Sequence, residues 1–77
     1  MNNYHKATLN KKKTGQNIRK AILNSGMTFE QVATSLNLSS SRVIYEWMAG
    51  RKLPNLENLM NLVLMLSIKM EDVIVIQ

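Results

Sequence analysis

Residues 26–50 read GMTFEQVATSLNLSSSRVIYEWMAG, and the fold turns on them. Thr28-Phe29-Glu30-Gln31 is a capping box. The Thr28 hydroxyl can accept from the Gln31 amide while the Gln31 side chain reaches back to Thr28. Val32, Ala33 and Leu36 follow at helical spacing, which predicts a short helix over Thr28–Leu36. Asn37 can supply a left-handed turn residue. Leu38 is an apolar plug, and Ser39, Ser40 and Ser41 offer three N-caps for the next helix. That helix runs through Ala49, with Ile44, Trp47 and Met48 at the i, i+3, i+4 spacing of a buried face. Val43 lies at the edge of the stripe, and Arg42, Tyr45, Glu46 and Ala49 face away. Gly26 and Gly50 bracket the pair, since glycine accepts the left-handed conformation that ends a helix.

Before Gly26, Ile18, Ala21 and Ile22 form one apolar stripe and predict a first helix over Gly15–Ser25. After Gly50, Arg51-Lys52-Leu53-Pro54 is a loop, because a residue before proline is pushed out of the helical region. Asn55 caps a fourth helix with Leu56, Leu59, Leu62, Val63 and Leu66 on its core face. Met60, Leu64 and Met65 make that helix apolar almost all round, so some of its surface needs a further element or a second subunit. Lys69–Ile74 reads as a short fifth helix with Ile68 and Val73 inward. Val73-Ile74-Val75-Ile76 is β-branched and ambiguous between helix and strand.

The chain is short, with 77 residues, 45% hydrophobic and 19% charged, so one small globular domain is expected. Ten Lys and Arg against five Asp and Glu give a formal charge of +5, which points to a polyanionic partner. The charge is not spread evenly. Residues 1–20 carry Lys6, Lys11, Lys12, Lys13, Arg19 and Lys20 and no acid. Residues 21–77 carry Arg42, Arg51, Lys52 and Lys69 against Glu30, Glu46, Glu57, Glu71 and Asp72. Residues 1–13 therefore read as a basic flexible arm, and residues 14–77 as the folded domain. The chain has no cysteine, which fits a reducing compartment. Its longest unbroken apolar run is Leu62–Leu66, far below the roughly 20 residues of a membrane span. Met1–Lys13 has no apolar core of a secretory signal. These features predict a cytoplasmic protein with no membrane partner.

Helices two and three, joined by a short turn, predict a helix-turn-helix, in which the second helix lies in the DNA major groove. The chain resembles the Cro/phage-repressor-like (Xre-type) helix-turn-helix family. Gly15-Gln16-Asn17-Ile18-Arg19-Lys20 is similar to that family's first helix, and Gly26–Ala33 to the opening of its second. Ile44-Tyr45-Glu46-Trp47, then Gly50, Leu53-Pro54 and Leu56-Glu57-Asn58-Leu59, is similar to the end of its third helix and the start of its fourth. The resemblance spans residues 14–74. It implies an all-α, compact five-helix lambda-repressor-like DNA-binding domain. The turn before Ile44 is one residue longer than in most members. Where many members pair an Arg with a Glu between helices one and three, this chain has Ile22 and Met48, and direct packing of the two is expected.

The resemblance implies base reading by Ser41, Arg42, Tyr45 and Glu46. Arg42 can bind guanine O6 and N7 with two bonds, and Glu46 can accept from cytosine N4. Alternatively Arg42 and Glu46, four apart, simply pair with each other. Phosphate contacts are expected from Thr28, Phe29, Ser39 and Ser40, from Arg51 and Lys52, and from Lys11, Lys12 and Lys13. Other chemistry is poorly supported. His5 is the one histidine, so no metal cluster or His-based nucleophile is expected. Nor is a glycine-rich phosphate loop, a cofactor, a small-molecule substrate or an enzyme activity. Met60, Met65 and Met70 read as core or interface filler.

The sequence thus predicts a sequence-specific double-stranded DNA-binding transcriptional regulator, a repressor of bacterial, phage or mobile-element origin. It would be nucleoid-associated and a homodimer. The alternative is a protein-interaction module or antitoxin-like partner on the same fold, favoured by the near-neutral body and by Glu46.

Overall fold

The computed structural model describes residues 4–77, so the first three residues of the expected arm lie outside the described part. Asn10 starts the first helix. Its backbone is extended and its side chain accepts from the Lys13 amide at 3.0 Å, giving α1 over Lys11–Ser25. This is four residues earlier than the apolar stripe predicts. Lysine is a good helix former and Asn10 is a good cap, so the helix extends past its last buried side chain. Lys11, Lys12 and Lys13 are its first turn and not part of an arm. Gly26, with φ +80°, ends α1 as expected.

The capping box forms as read. Thr28 Oγ1 accepts from the Gln31 amide at 3.0 Å, and Gln31 Oε1 accepts from the Thr28 amide at 2.9 Å. It opens α2 over Phe29–Ser35. Asn37, with φ +55°, makes the left-handed turn. Of the three serines only Ser40 caps α3, Arg42–Met48, accepting from the Arg42 amide at 3.2 Å. Ser41 is already helical and makes no side-chain cap bond. Asn55 caps α4, Leu56–Leu66, accepting from Asn58 at 2.8 Å. Ser67 terminates it at φ +55°.

The expected fifth helix is a single 3-10 turn, Met70–Asp72, closed by the Lys69 amide donating to the Asp72 carboxylate at 2.9 Å. The chain then straightens and runs antiparallel to residues 8–10. Asn10 N–H donates to Val75 O at 2.7 Å, Gln77 N–H to Thr8 O at 2.8 Å, and Leu9 faces Ile76 in one isolated bridge. The β-branched tail thus resolves as extended. Among the described residues the architecture is four α-helices with no β-strand.

One core joins every element. Ile18 and Ile22 come from α1, Val32 and Ala33 from α2, and Ile44, Trp47 and Met48 from α3. Leu62, Val63 and Leu66 come from α4, and Val73 from the tail. Each fully buried aliphatic stabilises the fold by about 1.5–3 kcal/mol. Ile22 and Met48 enter this same cluster. Leu56 does not join it. At 80% exposure it lies on the first turn of α4, in line with exposed Met60 and Leu64. Among the described residues no helix is long and apolar enough to cross a membrane.

Two glycines let α1 and α3 cross closely. A Cβ on Gly15 would lie 2.3 Å from Trp47 O and 2.7 Å from Met48 O. A Cβ on Gly50 would lie 2.8 Å from Lys12 Cα. The end of α3 and the loop beyond it therefore rest on the start of α1, backbone against backbone.

Candidate nucleic-acid interface

Burial divides α3 cleanly. Ile44, Trp47 and Met48 are buried, whereas Arg42 and Tyr45 are exposed and Ser41 and Glu46 are half-buried. The four candidate base-reading residues thus avoid the core side of a helix whose inner side is fully committed. Among the described residues Arg42 has no ion-pair partner, so the alternative of an Arg42–Glu46 pair is not realised. The Glu46 carboxylate instead meets Lys52 Nζ at 3.7 Å. Both Arg51 and Lys52 also donate their backbone amides to Glu46 O, at 3.0 and 3.4 Å. The reversal at Gly50, with φ +76°, brings the loop back over the last turn of α3. Helical spacing alone cannot reveal this contact, because residues six apart do not share a helix face.

Tyr45 packs edge-on against Phe29, with ring centroids 5.3 Å apart and planes at 72°. This is a favourable arrangement of two rings, and it pins the opening of α2 to the outer side of α3. Tyr45 remains 47% exposed. At the start of α2 the Thr28 amide and hydroxyl are both occupied by Gln31. Thr28 is a cap first, and the amides left without intrahelical partners begin at Phe29. Ser39 and Ser40 are exposed in the turn.

The contact between Gly50 and Lys11–Lys12 has an electrostatic consequence. Arg51 and Lys52 follow Gly50 directly, while Lys11, Lys12 and Lys13 form the first turn of α1. All five side chains are exposed. Two basic runs some forty residues apart in sequence therefore share one end of the molecule, beside the C-terminal end of α3. Glu46 is the acid paired into this region, through Lys52. The juxtaposition rests on a glycine contact that no local pattern announces.

A surface groove between the end of α2 and α4 is lined by Leu36, Asn37, Glu57, Asn61, Leu64 and Met65. None of the candidate residues lines it. Leu56, Met60 and Leu64, each four residues from the next, are exposed along α4. Comparison with models of known protein families and with curated proteins finds no match to this chain.

Proposed function

We propose that this chain is a sequence-specific double-stranded DNA-binding regulator whose α2 and α3 act as a helix-turn-helix within a lambda-repressor-like arrangement. In this reading α3 enters the major groove. Arg42 contacts a guanine edge and Tyr45, Ser41 and Glu46 supply neighbouring contacts. Phe29, Ser39, Ser40, Arg51, Lys52 and the Lys11–Lys13 turn hold phosphates. The observation that carries the reading is the division of α3. Its buried side anchors the helix, and its other side presents at its first turn Arg42, without an ion-pair partner among the described residues, while five exposed cations gather beyond its last turn. The exposed stripe Leu56, Met60 and Leu64 supports a homodimer on two half-sites about 34 Å apart.

One observation supports the alternative of a protein-interaction module. Glu46 stands on the presented side of α3, and residues 21–77 carry one more acid than base, so phosphate attraction is confined to one end.

Titration of isotope-labelled protein with a mixed-sequence duplex separates the two. Amide shifts confined to Phe29, Ser39–Glu46, Arg51, Lys52 and the first turn of α1 are expected. No shifts on α3 at stoichiometric duplex would reject the reading.

A further inference from the structure

The extended tail does more than end the chain. Thr14 is 2% exposed, the one buried polar residue among those described. Its side-chain oxygen accepts from the Val75 amide at 3.1 Å, while its own amide donates to Asn10 O at 2.9 Å. Asn10 is the cap of α1, and its amide donates to Val75 O at 2.7 Å. One turn further along, Asn17 Nδ2 donates to Val73 O at 3.2 Å. Val73 itself is fully buried in the core. The cap and the first two turns of α1 are therefore joined to the tail by three bonds, one each at Asn10, Thr14 and Asn17. The first of these turns carries Lys11, Lys12 and Lys13, whose exposed side chains add nothing to hold it. Helix ends fray unless tied down, and three adjacent lysines repel one another.

We infer that residues 73–77 form a clasp that sets the first turn of α1, and that Thr14 is the positioning residue through which the tail holds the lysine run beside Arg51 and Lys52. The inference rests on the DNA-binding reading for its functional consequence. The backbone carrying the cations is then already in place when they meet phosphate, so only their side chains need ordering at binding. The tail touches no nucleic acid in this account.

The test uses the full chain with Thr14→Val, which keeps the shape and removes the acceptor, and Thr14→Ser, which restores it. Val75→Pro removes the donor from the other side. Hydrogen exchange at the Thr14, Gly15 and Gln16 amides should accelerate at least tenfold in Thr14→Val and Val75→Pro and return to wild-type rates in Thr14→Ser. Exchange at Leu62 and Val63 should not change. The slope of log affinity against log salt for a mixed-sequence duplex should flatten by about one to two in the first two variants, at roughly 0.9 per phosphate contact. Unchanged exchange in the first turn overturns the clasp, as does equal acceleration at Leu62 and Val63. Faster exchange with an unchanged salt slope overturns the positioning role. If the wild-type protein does not bind duplex at all, the DNA-binding reading fails, and the exchange data still decide the clasp.

Discussion

Gly15→Ala puts the central crossing of the fold under direct strain. In a free helix this change stabilises by about 0.5–1 kcal/mol, because alanine loses less backbone freedom. Here the new methyl would sit 2.3 Å from Trp47 O, 2.7 Å from Met48 O and 2.9 Å from Met48 C. Van der Waals contact between carbon and oxygen begins near 3.3 Å, so α1 and α3 must separate by about 1 Å. The obstacle is backbone on both sides, so no rotamer change relieves it. Overpacking of this kind costs typically 1–3 kcal/mol, occasionally more. With backbone on both sides the cost falls in the upper half of that range, about 2–3 kcal/mol, and against the helix gain of about 0.5–1 kcal/mol the net loss is about 1–2 kcal/mol. A domain of this size should then melt roughly 4–15 °C lower. Urea denaturation followed by circular dichroism measures the change directly. Gly26→Ala is the control, since no atom lies within 4 Å of its Cβ. Its cost is only that of a left-handed alanine, about 1–2 kcal/mol. The two differ in mechanism. Gly15→Ala should weaken duplex binding even where the protein is fully folded, because α3 is displaced, and Gly26→Ala should not. A Gly15→Ala variant as stable as the wild type, with unchanged affinity, would refute the crossing geometry.

Other expectations follow from single contacts. Arg42→Ala should cost about 1–3 kcal/mol on preferred sequences and relax sequence preference; equal weakening on every sequence would make Arg42 a phosphate contact. Lys52→Ala breaks the 3.7 Å pair with Glu46, whose exposed lysine limits the stability loss to below about 1 kcal/mol by thermal melting. The same change should flatten the salt slope by about 0.9, and a loss of stability without a change in slope would assign Lys52 to Glu46 alone. Thr28→Ala removes the capping box and should lower stability by about 1 kcal/mol in urea titration.

Local chemistry was the legible part of this chain. Thr28 with Gln31, Asn55, Gly26 and Asn37 each act within a few residues of themselves, so their types announce what they do. Ile44, Trp47 and Met48 follow helical spacing and are buried as that spacing predicts. Contacts between distant segments left no such trace. The start of α1 lies outside its apolar stripe, because the lysine turn is held by a cap, by the tail and by backbone packing against Gly50, and not by buried apolar side chains. Leu56 looks like the first residue of a core stripe, but it falls in line with exposed Met60 and Leu64 and not with the core-packed Leu59, Leu62 and Leu66. Glu46 lies four residues from Arg42, the spacing of a helical pair, yet Gly50 folds Lys52 onto it first. The cluster of Lys11, Lys12 and Lys13 with Arg51 and Lys52 depends on a backbone approach that only glycine permits.

These contacts make the positive charge of the chain more useful to a DNA-binding reading than its distribution in sequence suggests. An arm of lysines would hold DNA loosely and anywhere. Lysines fixed on the first turn of α1, beside the end of α3, would hold it in a register that lets Arg42 and Tyr45 meet the same base pairs each time.

Selection of bound sequences from random duplex DNA at physiological salt tests the central claim, that α3 presents a base-reading surface. Enrichment of a short motif is expected, repeated as an inverted pair with centres one helical turn apart, with loss of one position of that motif in Arg42→Ala. Recovery of sequences no different from the starting pool, despite measurable binding, would contradict it.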